Sequence, residues 1–134
     1  MMKVLSPSEI IIENGKISIV LPIHAHNEAN SSEHWTKKQK RHQQQKFIVI
    51  NCMKSIKELI SMPCCITFTR LSPKFLDAHD NLPMSFKYIL DAVTASITGD
   101  YRSGLADNNP NFQFKFDQIK SNENNIKILF EFNP

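Results

Sequence analysis

Cys64-Cys-Ile-Thr-Phe-Thr-Arg-Leu71 is an apolar run rich in β-branched and aromatic residues, followed by the loop Ser72 to His79 and a helical pattern from about Leu82 to Ile97. That composition predicts a buried strand. Pro73 opposes helix formation directly after it, so the polar loop has to carry the chain from strand to helix. Counting from Asp80, Leu82, Phe86, Ile89, Leu90, Val93 and Ile97 fall on one arc, between roughly 180° and 280°. On the same wheel Lys87 and Asp91 lie within about 20° of Asp80. The helix is therefore expected to turn one face to a core and to carry Asp80, Lys87 and Asp91 on a face pointing away from it.

Upstream, Ile10, Ile11 and Ile12, the pair Asn14-Gly15, and the alternation Ile17, Ile19, Leu21 predict a hairpin with a two-residue turn that tolerates positive φ. Pro22 to Ser32 is polar and reads as a loop, with Ser31 or Ser32 available to cap the next helix. Glu33 to about Ser61 has neither proline nor glycine, and Phe47, Ile50, Ile56 and Ile60 recur in a helical pattern. A long helix ended by Pro63 is expected there, against the weak opposition of the β-branched run Ile48-Val49-Ile50. Its first half carries Lys37, Lys38, Lys40, Arg41 and Lys46 against the single acid Glu33, with Trp35 among them. Such a run is either a solvated helix face or an arm that contacts phosphates without reading sequence.

Downstream, Thr98 to Pro110 is a loop containing Gly99, Arg102, Gly104 and Asp107-Asn108-Asn109. Phe112, Phe114 and Phe116 alternate with Gln113, Lys115 and Asp117, which predicts a strand with one buried aromatic face. Ile126, Ile128, Phe130 and Phe132 predict a closing strand, expected antiparallel to the preceding one. The resulting fold class is α+β: a mixed or antiparallel sheet against two main helices.

The chain has 134 residues, enough for one core and one domain over 1–134. Its hydrophobic content of 41% and charged content of 22% are those of a globular protein rather than a disordered one. No apolar run reaches the roughly 18 residues of a membrane span, and no secretion signal opens the sequence. A soluble cytoplasmic protein with no membrane partner is the expectation. Cys52, Cys64 and the adjacent Cys65 lack zinc-ligand and framework-disulfide spacing, so they are expected to be reduced and mostly buried. His24 and His26 have no cysteine at ligand spacing. A net charge of +3 does not by itself indicate nucleic-acid binding; the distribution of charge says more.

Chemistry concentrates in Leu76-Asp-Ala-His-Asp-Asn-Leu82, in Lys87 and Asp91, and in Ala106-Asp-Asn-Asn109. Carboxylates where a loop enters a helix can hold a hard divalent cation, which takes oxygen ligands and completes its shell with water and phosphate. Two competing readings are purely structural. Asp80 or Asn81 can cap the helix, and Lys87 with Asp91 can form a surface i, i+4 pair.

Three ordered blocks of the sequence resemble the RusA-like family of Holliday junction resolvases, in the form found in phages and prophages. They are Leu21-Pro22 with Ala29-Asn-Ser-Ser-Glu-His-Trp35 and the basic helix after it; Phe68-Thr-Arg70 leading to Leu76–Leu82 and Lys87-Tyr-Ile-Leu-Asp91-Ala; and Gly104-Leu-Ala-Asp107 with the strand through Asp117-Gln118. The likeness spans about Leu21 to Phe132. It implies a small α+β homodimer of bacterial, phage or prophage origin that cuts branched DNA by two symmetric nicks. The cofactor it implies is Mg²⁺, with Mn²⁺ as an alternative. On this likeness Asp80 and Asp107 bind metal with Asp77 as a further ligand, Lys87 acts on the scissile phosphate, and Asp91 orients Lys87. DNA contacts are expected from Lys37, Lys38, Lys40, Arg41 and Arg102. Ala78 stands where the family places an aspartate, and Asn108 where it often has a second consecutive one. The resemblance therefore also implies an alternative, a junction- or DNA-binding protein of the same fold that does not cut.

Overall fold

Alternation along the strands builds the sheet in rows. The computed structural model describes residues 9–26, 34–79, 81–101 and 109–133. β1 (Glu9–Glu13) and β2 (Lys16–Leu21) form the expected hairpin, with Gly15 at φ 78° in its turn, a backbone conformation that glycine takes without steric cost. β3 (Cys64–Ser72), β4 (Phe112–Lys120) and β5 (Asn125–Phe132) complete a five-stranded sheet in the order β1-β2-β5-β3-β4. Only β3 and β4 run parallel; the other pairs are antiparallel. The register aligns Ile17, Phe130, Ile66 and Phe114 in one row across four strands, and Ile19, Ile128, Phe68 and Phe116 in the next. Since side chains alternate between faces, these rows form one apolar surface.

Two main helices cover that surface. α1 (Trp35–Met53) contributes Ile48, Val49, Cys52 and Met53 to the core, and α3 (Lys87–Thr98) contributes Ile89, Leu90, Ala92 and Val93. α3 ends at Gly99, whose φ of 77° and N–H bond to Ala95 O close the helix in the left-handed conformation. The architecture is the expected α+β arrangement, a mixed sheet under two main helices. No helix among the described residues is long and apolar enough to cross a membrane.

Four local expectations are corrected. The helix expected to reach about Ser61 stops at Met53, because Ser55 Oγ donates to Cys52 O and Ser55 N–H and Ile56 N–H make tight i−3 bonds. A separate 3₁₀ turn, Lys57–Leu59, comes next, so Pro63, joined to Met62 by a cis peptide, does not terminate α1. The cap of α1 is His34, whose Nδ1 accepts from Thr36 N–H at 3.2 Å; Ser31 and Ser32 lie outside the described residues. The helix expected from Leu82 to Ile97 is broken into α2 (Asn81–Ser85) and α3. Phe86 leaves helical geometry at φ −103°, ψ 1°. It is fully buried, with its ring 5.4 Å from that of Phe68 and 6.0 Å from that of Phe116. A helical phase counted from Asp80 therefore does not carry through to Lys87.

The fourth correction concerns β4 and β5. They run in opposite directions but are not neighbours, since β3 lies between them. The connection 121–124 crosses the end of β3, where Ser121 N–H donates to Ser72 O and Ser72 Oγ donates to Asn124 Oδ1 at 2.7 Å.

All three cysteines are free, Cys52 and Cys64 buried and Cys65 half-buried. Burial pushes the Cys64 thiol from 9.0 up to about 11. The folded state thus keeps the thiol neutral in a range where the unfolded chain ionises it. The contribution to stability is complete below pH 9 and is lost as pH rises toward about 11. Over that window thermal stability should fall more steeply in the native protein than in Cys64→Ala. Parallel melting curves across the window would sink this assignment.

Candidate functional site

The third row of the sheet breaks the apolar pattern. It reads Leu21, Ile126, Arg70, Gln118, so two polar side chains lie on the core face at the carboxyl ends of the parallel strands β3 and β4. Gln118 secures the loop that carries the acidic motif. Its Nε2 donates to Leu76 O at 2.8 Å and its Oε1 accepts from Leu76 N–H at 2.9 Å, one rung of a β-ladder made by a side chain. Arg70 is only 4% exposed. Its Nε donates to Ala25 O at 2.8 Å and its Nη1 to Lys74 O, tying the segment 22–26 and the loop after β3 to the sheet.

Asp77 comes directly after this clamp and is exposed. Its Oδ1 accepts from His79 N–H at 2.9 Å, and its carbonyl accepts from Leu82 N–H at 2.8 Å. A carboxylate offers about four acceptor sites, so this turn leaves capacity for a cation, and a carboxylate oxygen is the ligand type that Mg²⁺ prefers. Asp80, Asp107 and Arg102 lie outside the described residues. Among the described residues no three His, Cys, Asp or Glu side chains are grouped to hold a metal.

Lys87 and Asp91 open α3 one turn apart, Lys87 exposed and Asp91 half-buried. α2 has five residues, about 7.5 Å of helix, so Lys87 begins close to the Asp77 turn along the chain. α1 meets α3 at the same place. His42 stacks on Tyr88 with ring centroids 3.6 Å apart, and the ammonium groups of Lys46 and Lys87 lie 5.5 Å and 5.7 Å from the Tyr88 ring centroid. These are cation–π distances. Two cations from different helices thus gather around one aromatic ring.

The rest of the basic run is distributed around α1. Lys37 and Lys40 are exposed and Lys38 is half-buried. Arg41 turns toward Pro22, Ile23 and His24, with which it lines a groove. Gln45 beside it is buried and donates to His24 O at 3.2 Å. Trp35 is 69% exposed.

No sequence expectation covers the roles of Arg70, Gln118, His42 and Tyr88. A signal existed for some of them. Arg70 shares its parity with Cys64, Ile66 and Phe68, so alternation alone assigns it to the core face. His42 and Lys46 are four residues apart on a helix and must share a face. Nothing local to Gln118 marks it as a clamp. No family model matches the chain, and no curated protein matches it.

Proposed function

We propose that the protein is a metal-dependent, structure-selective endonuclease that resolves Holliday junctions or other branched DNA by hydrolysing phosphodiesters, acting as a homodimer. One observation carries the reading: the acidic loop, the start of α3 with Lys87 and Asp91, and the cationic cluster around Tyr88 are joined through one short helix and one helix contact. Phosphate recognition draws on cations, and metal-dependent phosphate chemistry draws on carboxylates.

In this reading Asp77, Asp80 and Asp107 hold the metal, and Mg²⁺ or Mn²⁺ supplies an activated water and charge neutralisation when bound. Lys87 places its ammonium against the scissile phosphate and stabilises the charge that develops there. Asp91, one helical turn away, orients Lys87. Lys46 neutralises an adjacent backbone phosphate, while Lys37, Lys38, Lys40, Arg41 and Arg102 extend the contact along the DNA. Homodimerisation would present two equivalent sites to two equivalent strands. The edge strand β1 exposes Ile10, Ile11 and Ile12 at 39%, 44% and 56%, an apolar edge of the sort that pairs with another chain.

A second reading, a junction- or DNA-binding protein that does not cut, is favoured by Ala78 and Asn108, which stand where the family that the sequence resembles has aspartates. The deciding experiment is Mg²⁺-dependent cleavage of a synthetic four-way junction and a matched linear duplex by the native protein and Asp80→Asn. Paired nicks in the junction alone, lost in the variant while binding persists, are expected. Tight binding with no cleavage in Mg²⁺ or Mn²⁺ would leave the second reading standing and remove the first.

A further inference from the structure

A cleft of about 400 Å³ opens between the segment 22–26 and the loop after β3, with His24, His26, Arg70, Lys74, Phe75 and Asn124 among its walls. Arg70 is buried. A buried cation is costly unless an opposite charge compensates it, yet the two groups that Arg70 bonds are neutral carbonyls. Burial pulls its pKa down, but a guanidinium keeps its proton in a protein.

The surrounding groups add to the positive field. The His24 pKa is lowered first by burial, then by Arg70, His26 and Arg41, all of them cationic or able to become so. The two imidazole rings lie 5.6 Å apart. His26 Nδ1 is buried and has no hydrogen-bond partner among the described residues, which is uncommon for a buried polar atom. Phe75 is 55% exposed, and Lys120 Nζ lies 5.5 Å from its ring centroid. Cationic groups and an exposed aromatic ring thus share the walls of one cleft. Its volume falls in the range of small-molecule sites.

We propose that this cleft is a nucleotide pocket, which holds a phosphate group against Arg70, His24 and His26 and stacks the attached base on Phe75. A phosphate supplies a negative charge that no partner of Arg70 among the described residues supplies, and acceptor oxygens for imidazole N–H groups. A base supplies the π-face that an exposed phenylalanine takes. The shared chemistry is a nucleotide phosphate. Its source is a strand of DNA or a free mononucleotide, and the choice of DNA rests on the proposed nuclease function. The Leu76 clamp places the pocket next to the Asp77 turn, so a DNA strand seated here has one nucleotide anchored away from the bond to be cut.

The test is histidine-ring NMR of the full chain, titrated separately with inorganic phosphate, 5′-dTMP and a short oligothymidylate without terminal phosphates. The oligonucleotide should shift the His24 and His26 signals and raise the apparent His24 pKa by about one unit. Phe75→Ala, a change at an exposed position, should weaken dTMP and oligonucleotide binding by roughly five- to 100-fold, the equivalent of one stacked base, and leave inorganic phosphate binding unchanged. Arg70→Gln should remove all three responses. If that variant does not fold, Lys74→Ala, at an exposed position, should weaken all three. Shifts with dTMP and none with the oligonucleotide would support the pocket and assign it to free nucleotides. Shifts with inorganic phosphate alone, or with no ligand at millimolar concentration, would overturn it. No arm depends on cleavage: a protein that cuts no junction yet gives the oligonucleotide response keeps the pocket and loses the nuclease. One that cuts without the response does the reverse.

Discussion

Lys87→Met should slow junction cleavage by roughly 100- to 1,000-fold, the usual effect of removing one group aimed at developing transition-state charge, while junction binding without Mg²⁺ changes far less. Lys87 is exposed at the start of α3, so the substitution removes no core packing and should leave the fold intact. Methionine keeps most of the apolar stem and deletes the ammonium that lies 5.7 Å from the Tyr88 ring centroid. The matched control is Lys46→Met, which removes the other cation gathered at the same ring. If Lys46 only neutralises a backbone phosphate, its loss should weaken binding about equally on all sequences and reduce the salt slope by about one. Single-turnover cleavage and anisotropy titrations over a range of salt distinguish the two effects. Equal cleavage rates for native protein and Lys87→Met would remove Lys87 from the chemistry.

Phe68→Ala should cost about 3–5 kcal/mol, the range for deleting a buried phenylalanine ring. Phe68 is fully buried, and its ring lies 5.4 Å from that of Phe86 and 5.8 Å from that of Phe116. It also stands in the row that links Ile19, Ile128 and Phe116 across the sheet. Domains of this size are stable by about 5–15 kcal/mol in all, so the loss is between about a fifth and the whole of that stability. Ile119→Ala is the contrast. That side chain is 52% exposed on β4, and its loss should stay within about 0.5 kcal/mol. Urea denaturation of both variants measures the difference, and a cost below about 1 kcal/mol for Phe68 would contradict a core built around its ring.

Hairpin, core strands and both main helices were legible because their apolar residues repeat with the period of the element they form. Ile17, Ile19 and Leu21 needed no tertiary information to be assigned to one face. Contacts distant in sequence set the features that escaped. The connection 121–124 is short enough for a hairpin, and nothing within it announces that Ser72 will lie beneath it, so the parallel pairing of β3 and β4 could not be read locally. Phe86 fits the helical arc of Leu82 to Ile97, yet its burial against Phe68 and Phe116 interrupts the helix. At the candidate site, the short path from Asp77 to Lys87 was legible from spacing. The convergence of His42 and Lys46 on Tyr88 depends on how α1 crosses α3. The expectations for Asp80, Asp107 and Arg102 lie outside the described residues.

The strand order also bears on how the chain reaches its native state. β5 pairs with β2 on one side and β3 on the other, so the hairpin β1–β2 and the parallel pair β3–β4 share no ladder except through it. Each half must wait for a segment that comes later in the chain, and the partners β2 and β5 are separated by about a hundred residues. Loops of that span are closed before their contacts can compensate the lost entropy, which makes assembly slow and concerted. The bond from Arg70 to Ala25 O, which ties one half to the other, therefore forms only when the whole sheet does.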